Sequence, residues 1–264
     1  MVGPWGFFGV RRAQGKPALV SVRRFAVRLF ALAVALVVTW QLISWTEPVA
    51  AFAVLERLTP NLVWRVNTAR PLVGLSFDDG PDPVYTPKVL AILAQHAAHA
   101  TFFVIGERAM RYPELIRRIR AEGHEIGNHY FMNGATLTHS DTDFIGYLDC
   151  TERAAGISGP GKLFRPPGGV AWSHQLQLAR ARGYTSVLGS AYPHDPAHPP
   201  VGYIQWLVKK NLAPGAIVIL HDGIPNPSRS IEALPNILVA GHQRGLQFVS
   251  IGVLIGSGST PPND

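Results

Sequence analysis

Short polar clusters directly follow several apolar runs in this sequence, and they carry the side chains that bind metals and transfer protons. The clusters are Asp78-Asp79-Gly80-Pro81, Gly127-Asn128-His129, Arg165-Pro166-Pro167-Gly168-Gly169, His194-Asp195 and His221-Asp222-Gly223. Each cluster begins where a predicted strand ends. Because barrel enzymes build their active sites at the carboxyl ends of parallel strands, we expect the five clusters to lie together on one rim. A shared site is favoured over five unrelated turns.

Asp78 and Asp79 are adjacent carboxylates, and two ionised carboxylates in one place require a nearby cation. Arg165 is one candidate for that cation, and a divalent metal ion bound together with His129 is the other. The same pair is also typical of an Asp-Asp-Gly turn, which would need no cation.

His221 ends an apolar run at residues 216–220. A histidine has an ordinary pKa of about 6.5, which suits a general acid at neutral pH. Its neighbour Asp222 could orient the imidazole or could be a turn residue.

Short apolar runs alternate with amphipathic helical segments between residues 72 and 252. Strands are predicted at 72–77, 100–105, 125–127, 162–164, 185–188, 216–220 and 247–250. Helices are predicted at 87–97, 107–122, 141–156, 173–182, 203–212 and 228–244. This alternation is typical of parallel strands covered by helices. About seven such units over roughly 190 residues favour an α/β fold, a distorted (β/α) barrel of about seven parallel strands, over an open sheet.

The positive charge of the chain is concentrated at its start. The net charge is +7, but six of the 24 basic residues lie in the first 28, which contain no Asp or Glu. The remaining 18 basic residues nearly balance the 17 acidic ones, so a nucleic-acid-binding surface on the body is not supported. The one cysteine, Cys150, excludes an intramolecular disulfide and is interpreted as a core or helix-face thiol.

An uncharged apolar run follows the basic residues. We predict a basic cytoplasmic tail at 1–28, a transmembrane or signal-anchor helix at 29–46, a connector at 47–71, the main domain at 72–252 and a flexible tail at 253–264. The basic residues on one side favour a membrane-anchored protein with its catalytic domain outside the cytoplasm. The alternative is a secreted protein whose signal peptide is cleaved near Ala53, after the small-residue pattern of 51–53.

In this order the clusters resemble the NodB-homology polysaccharide deacetylases, carbohydrate esterase family 4. The resemblance extends over roughly residues 72–252. Its most specific part is Ser76-Phe77-Asp78-Asp79-Gly80-Pro81, which is similar to the family motif T-F-D-D-G-P. The motif R-x-P-x-G is found at 165–169, and an apolar run followed by L-H-D is found at 219–222.

The second family motif has two histidines four residues apart as metal ligands, whereas Asn133 stands four residues after His129. A neutral amide is a weaker ligand than histidine for zinc-like ions. His139 and Asp141 are alternative ligands on the same segment.

Two further motifs also depart from the family. Gly168 replaces the usual aromatic residue of the third motif, and no Trp follows Asp195 in the fourth. We therefore interpret the chain as a divergent branch with an altered acceptor site.

The resemblance implies a metal-assisted amide hydrolysis with divided roles. The ligands of zinc or another divalent transition metal would be Asp79, His129 and Asn133. The other roles would be general base for Asp78, paired with Arg165, general acid for His221, tuned by Asp195, and oxyanion stabilisation by the backbone N–H of Gly168.

The implied function is deacetylation of an extracytoplasmic N-acetylated glycan, such as peptidoglycan or a chitin-like polymer, or of a lipid-linked sugar. The expected partners are this glycan and, through the N-terminal helix, the membrane; no nucleic acid is expected, and the oligomeric state is not indicated. One alternative is a non-catalytic glycan-binding relative that has lost the metal. Another is a hydrolase of a different non-peptide carbon–nitrogen bond.

Overall fold

The computed structural model describes residues 18–47, 49–134, 136–223 and 225–258, and the chain divides into two units, residues 1–44 and 45–264. Helix α1 (Ala18–Thr46) begins inside the predicted basic tail, whose first 17 residues lie outside the described residues. Among the described residues, no helix combines the length and the apolar character needed to cross a membrane. The transmembrane helix predicted at 29–46 is therefore not confirmed.

Within the described residues, seven parallel strands form a curled, half-barrel sheet, and each predicted strand is present. The strands are β1 (Leu72–Asp78), β2 (Thr101–Val104), β3 (Glu125–Asn128), β4 (Lys162–Phe164), β5 (Tyr184–Ser186), β6 (Ile217–His221) and β7 (Gln247–Val249). Their order is β5-β4-β3-β2-β1-β6, and β7 pairs with the start of β1. A bridge from Ala191 to Val218 brings the chain that follows β5 to β6. The predicted parallel α/β architecture is confirmed.

Helices connect the strands as predicted, with one difference. They are α3 (Thr86–Gln95), α4 (Gly106–Arg111), α5 (Pro113–Ala121), α6 (Asp141–Ala155), α7 (Ser173–Ala181), α8 (Val201–Asn211) and α9 (Ser228–Gln243). The single helix predicted at 107–122 is wrong, because the chain breaks at Tyr112, which has φ −130° and ψ 58°. Pro113 disfavours the helical conformation for the residue before it and has no N–H to continue a helix.

Regular structure also lies in both segments that were expected to lack it. Helix α2 (Val49–Leu58) falls within the predicted connector. Helix α10 (Ile251–Gly256) crosses residue 253, the predicted start of the flexible tail. The Ser250 hydroxyl caps α10 by accepting a hydrogen bond from the Val253 N–H. The apolar residues Ile251 and Leu254 of this helix are buried. Residues 259–264 of that tail lie outside the described residues.

Strand β1 pairs with β2, β6 and β7 and positions the site. All seven of its residues are buried, as in a parallel strand whose two faces are both covered. The register pairs Asp78 with His221, so the last residues of β1 and β6 stand side by side. A buried apolar strand thus ends in a polar residue next to another polar strand end, at the rim where active sites of this architecture form.

Candidate active site

A buried ion pair joins the end of β1 to the loop after β4. Nη1 of Arg165 lies 2.6 Å from Oδ1 of Asp78, and both residues are almost fully buried. The guanidinium also donates to Ser76 Oγ at 2.8 Å and to the carbonyl oxygens of Val187 and Leu188 at 3.3 and 3.1 Å. Burial lowers the pKa of Arg165, and the Asp78 carboxylate opposes that shift. The predicted pairing of Arg165 with Asp78 is present. Three further hydrogen bonds, to Ser76, Val187 and Leu188, fix the position of the guanidinium.

Asp79 and His129 meet at the same rim. Oδ1 of Asp79 lies 3.3 Å from Nε2 of His129, and Nδ1 of His129 lies 2.8 Å from the carbonyl oxygen of Arg165. Burial alone would raise the pKa of Asp79, but the hydrogen bond and charge of His129 outweigh it and lower that pKa. Burial likewise would lower the pKa of His129, but the charges of Asp78 and Asp79 raise it. The carbonyl fixes the ring so that Nε2 is the atom presented to Asp79.

The Asp79–His129 pair fits two coordination positions of a divalent ion. A carboxylate oxygen and an imidazole nitrogen converge, and the second ring nitrogen is held by a carbonyl, as is usual for metal-binding histidines. Asn133 is exposed and lines the same cavity. Within the described ranges, no group of three His, Cys, Asp or Glu side chains could hold a metal ion. Asn133 is therefore the candidate for a third, neutral ligand.

The two alternative ligands lie elsewhere. His139 Nδ1 is 2.9 Å from the Tyr130 hydroxyl, and the two rings are stacked. Asp141 lies 3.2 Å from His174 in an exposed ion pair. Neither His139 nor Asp141 lines the cavity, so the structure does not bring these two possible substitute ligands to Asp79 and His129.

His221 is held by a buried carboxylate. Its Nδ1 lies 2.9 Å from Oδ1 of Asp195, and Oδ2 of Asp195 accepts from the His221 N–H at 2.9 Å and the Ser230 hydroxyl at 2.6 Å. Burial would lower the pKa of His221, but the charge and hydrogen bond of Asp195 raise it to about 9. The predicted partnership of Asp195 with His221 is present, and the Asp195 carboxylate favours the protonated imidazole.

Asp222 does not orient His221. It is fully buried and accepts a hydrogen bond from the Thr86 hydroxyl, whereas its Oδ1 receives none in the described part of the chain. A Cβ on Gly80 would lie 2.5 Å from that Oδ1, so the carboxyl packs directly under the turn that follows β1. Burial raises the pKa of Asp222 to about 7.

Gly168 forms part of the cavity wall with its backbone. It has φ 64° in the short turn at 167–169, a left-handed conformation that favours glycine. Its predicted role as an N–H donor to an oxyanion remains a prediction.

A cavity of about 400 Å³ brings these groups together. It is lined by Asp78, Asp79, His129, Asn133, Arg165, Gly168 and His221. The further lining residues include Glu47, Phe52, Trp64 and Tyr192, to which sequence reasoning gave no role in the site. The signal that could have found Glu47 is an acidic residue directly after a long apolar run. That signal is weak, because the same residue fits the end of a membrane segment.

Comparisons with known proteins agree with this arrangement. A family model described as polysaccharide deacetylase matches residues 65–187. A peptidoglycan-N-acetylglucosamine deacetylase of Bacillus cereus is 39% identical over 201 residues, which cover 75% of this chain and 94% of the relative. A chitooligosaccharide deacetylase of Sinorhizobium fredii is 37% identical over 207 residues, which cover 71% of this chain and 93% of the relative. The chain belongs to the polysaccharide deacetylase family, and its relatives named for N-acetylglucosamine and chitooligosaccharide deacetylation indicate a hydrolase of amide carbon–nitrogen bonds.

Solved structures share the fold. A peptidoglycan N-acetylglucosamine deacetylase in complex with an N-oxidanyl-benzamide superimposes with a TM-score of 0.71 at 28% identity, covering 76% of this chain and 95% of that one. A Clostridium thermocellum family 4 acetyl xylan esterase in complex with a cobalt ion gives 0.64 at 31%, covering 70% and 90%. A mutant of a family 4 pseudoenzyme with restored activity gives 0.68 at 26%, covering 78% and 75%.

Proposed function

We propose that this chain removes acetyl groups from the N-acetylated sugars of an extracytoplasmic glycan, peptidoglycan or a chitin-like polymer, with a divalent metal ion as cofactor. One observation carries the proposal. Asp78 and His221 end two strands that pair in register, each is held by its own buried partner, and both line one cavity. The relatives named for peptidoglycan and chitooligosaccharide support this substrate class.

Amide hydrolysis needs a base for the attacking water and an acid for the leaving amine. Oδ1 of Asp78 is bound by Arg165, so its other carboxylate oxygen would accept the proton of the water. Nδ1 of His221 is held by Asp195, so Nε2 would give its proton to the amine nitrogen. Because the pKa of His221 is raised to about 9, that proton is available at neutral pH.

Asp79 and His129, with Asn133, would hold the metal ion at the cavity wall. A divalent ion supplies Lewis acidity, which polarises the acetyl carbonyl and lowers the pKa of water. The backbone N–H of Gly168 would stabilise the negative charge that develops on the carbonyl oxygen. The cobalt complex of the related esterase supports the choice of a divalent transition metal.

Acetate release tests the proposal. The purified chain would be stripped of metal and then supplied with zinc, cobalt, nickel or manganese, using N-acetylglucosamine oligomers and peptidoglycan as substrates. We expect metal-restored release of acetate. Absence of release with every metal on both substrates would contradict the proposal.

A second candidate is a glycan-binding relative without catalysis. The observation that favours it is Asn133, an exposed neutral amide where the family motif places a metal-binding histidine. The existence of a pseudoenzyme with the same fold supports considering it. Elemental analysis separates the two candidates, because the binding-only relative would contain no bound metal. A column carrying the immobilised chain would still retain N-acetylglucosamine oligomers in that case.

The proposed location outside the cytoplasm rests on the basic residues of the first 28 positions and the apolar run at 29–45. Membrane attachment through this segment, or cleavage near Ala53, remains part of the proposal. Cell fractionation combined with protease digestion of intact cells tests it. Recovery of a protease-resistant chain only in the cytoplasmic fraction would contradict it.

A further inference from the structure

Part of the cavity wall comes from residues that precede the family match. That match begins at residue 65, yet Glu47, Phe52 and Trp64 line the cavity together with Asp78 and His221. The segment 45–64 therefore contributes a carboxyl group and two aromatic rings to a site whose other parts are strand ends.

This segment is joined to the sheet by backbone hydrogen bonds. The N–H of Val63 donates to the carbonyl of Ser186 at 2.9 Å, and its own carbonyl accepts from Leu188 at 2.8 Å. The ring centroids of Phe52 and Trp64 are 6.0 Å apart, and Phe52 is 6% exposed. The aromatic wall is thus part of the folded domain.

Glu47 is held by one oxygen only. Its Oε2 accepts from the backbone N–H of Tyr192 at 2.9 Å and from Nδ2 of Asn211 at 3.3 Å. Within the described ranges, Oε1 receives no hydrogen bond from the protein. The Tyr192 ring centroid lies 6.0 Å from that of His221, so Glu47 is anchored to the backbone of a residue whose ring neighbours the proposed general acid, and both Glu47 and His221 line the cavity.

We propose that Glu47 is a substrate-positioning residue whose Oε1 accepts a hydrogen bond from a hydroxyl group of the acetylated sugar, with Phe52 and Trp64 packing beside the sugar ring. The inference rests on the proposed function. Ligand sites combine apolar walls with a few oriented polar groups, and sugar hydroxyls are donors for a carboxylate. Burial raises the pKa of Glu47 to about 7, against the opposing effects of Tyr192, Lys210 and Asn211. A donor from the substrate would offset part of that desolvation.

Glu47→Gln separates this role from a purely structural one. The amide oxygen can still accept from Tyr192 and Asn211, so the anchor is preserved, while the group facing the cavity becomes a donor. In the metal-loaded full-length chain we expect KM for N-acetylglucosamine oligomers to rise about tenfold, with kcat changed less than about twofold. Glu232→Gln is the control, because Glu232 is an exposed carboxylate on α9 and its replacement should change neither constant.

The outcomes are distinct. An unchanged KM in Glu47→Gln, together with a loss of thermal stability in Glu47→Ala, would show that Glu47 only anchors the segment and would overturn the inference. A fall in kcat with KM unchanged would overturn it as well.

If the wild-type chain releases no acetate, the proposed function fails, and binding alone decides the inference. Tryptophan fluorescence would then measure the binding of N-acetylglucosamine oligomers. The comparison is between the Asp78→Asn variant and the double variant that also carries Glu47→Gln. About tenfold weaker binding in the double variant supports the inference, and equal binding overturns it.

Discussion

Two of the buried ion pairs of the site, Asp78–Arg165 and His221–Asp195, differ in which partner the protein holds with several hydrogen bonds. In the Asp78–Arg165 pair the protein holds the cation, because all three nitrogens of its guanidinium donate to protein atoms. In the His221–Asp195 pair the protein holds the carboxylate, because both of its oxygens accept hydrogen bonds. The partner that faces the cavity for reaction with a substrate is the Asp78 carboxylate in the first pair and the His221 imidazole in the second.

This difference supports the proposed direction of proton transfer. In the proposed reaction the Asp78 carboxylate, held by a fixed cation, would accept a proton, and the His221 imidazole, held by a fixed anion, would donate one. The β1–β6 register places Asp78 and His221 side by side. One cavity therefore contains both groups that the proposed amide hydrolysis requires.

The largest expected effect is the loss of the acceptor. Asp78→Asn should lower kcat for acetate release about 1000-fold, because a general base contributes roughly 10²–10⁴. Bound metal should be retained, since Asp79 and His129 are unchanged. Asp82→Asn is the matched control. Asp82 lies in the turn that follows β1, and its carboxylate accepts a hydrogen bond from the Val84 N–H. A loss below tenfold in Asp78→Asn, with metal content intact, would place the base elsewhere.

The second largest expected effect is the loss of the Arg165 cation. Arg165→Met should lower the free energy of unfolding by about 3–5 kcal/mol, because the Asp78 carboxylate would stay buried without its partner. Urea denaturation measures this loss. Arg182→Met, which breaks the partly exposed pair with Asp149, should cost less than about 1 kcal/mol. Adding Asp78→Asn to Arg165→Met should recover part of the stability, and equal losses in the two single Arg variants would contradict the argument.

The corresponding change in the second pair should act on rate more than on folding. Asp195→Asn should lower kcat about 100-fold, because the imidazole loses the anion that keeps it protonated and oriented. Ser230→Ala removes one donor to Asp195 and leaves both His221 contacts, so it should reduce kcat less than about fivefold. If the two variants were equally impaired, the network as a whole would matter more than the Asp195 charge.

The pH profile gives a further test of the second pair. The pKa of His221 is raised from 6.5 to about 9, so the donating form is present below that pH and is lost above it. We expect kcat to fall about tenfold per pH unit above pH 9. In Asp195→Asn the alkaline limit should move to lower pH, towards the ordinary histidine value. An unchanged limit would assign the alkaline fall to another group.

Much of this site could be predicted because its residues follow local strand patterns. Asp78 and His221 are the last residues of their strands, whereas His129 and Arg165 each come directly after a strand. Parallel strands bring their carboxyl ends to one edge. Proline at position 113 also indicates that the helix is interrupted there, whereas the helical periodicity of the surrounding residues favours one continuous helix.

The rest depends on contacts between distant positions. Glu47 meets the Tyr192 N–H across 145 residues of sequence, and no local pattern encodes that meeting. The exposure of Asn133 and the separate engagement of His139 with Tyr130 likewise follow from how the loop after β3 packs. Spacing along the chain therefore predicts the strand ends directly, whereas the surroundings of these loop residues depend on tertiary packing.

The smallest expected effect comes from Asp222, which belongs to neither pair. Because burial raises its pKa to about 7, well above the usual 3.8, the folded state holds a proton that the unfolded chain has released between these values. Stability therefore falls as pH rises from about 4 to about 7. Asp222→Asn should flatten that decline by about 1 kcal/mol or more while changing kcat less than threefold. Urea denaturation at pH 5 and pH 8 measures the difference, with the exposed Asp141→Asn as control. An equally steep decline in Asp222→Asn would mean that other carboxyl groups produce it, and a large loss of kcat would mean that the carboxyl under the β1 turn positions Asp79 for its ligand.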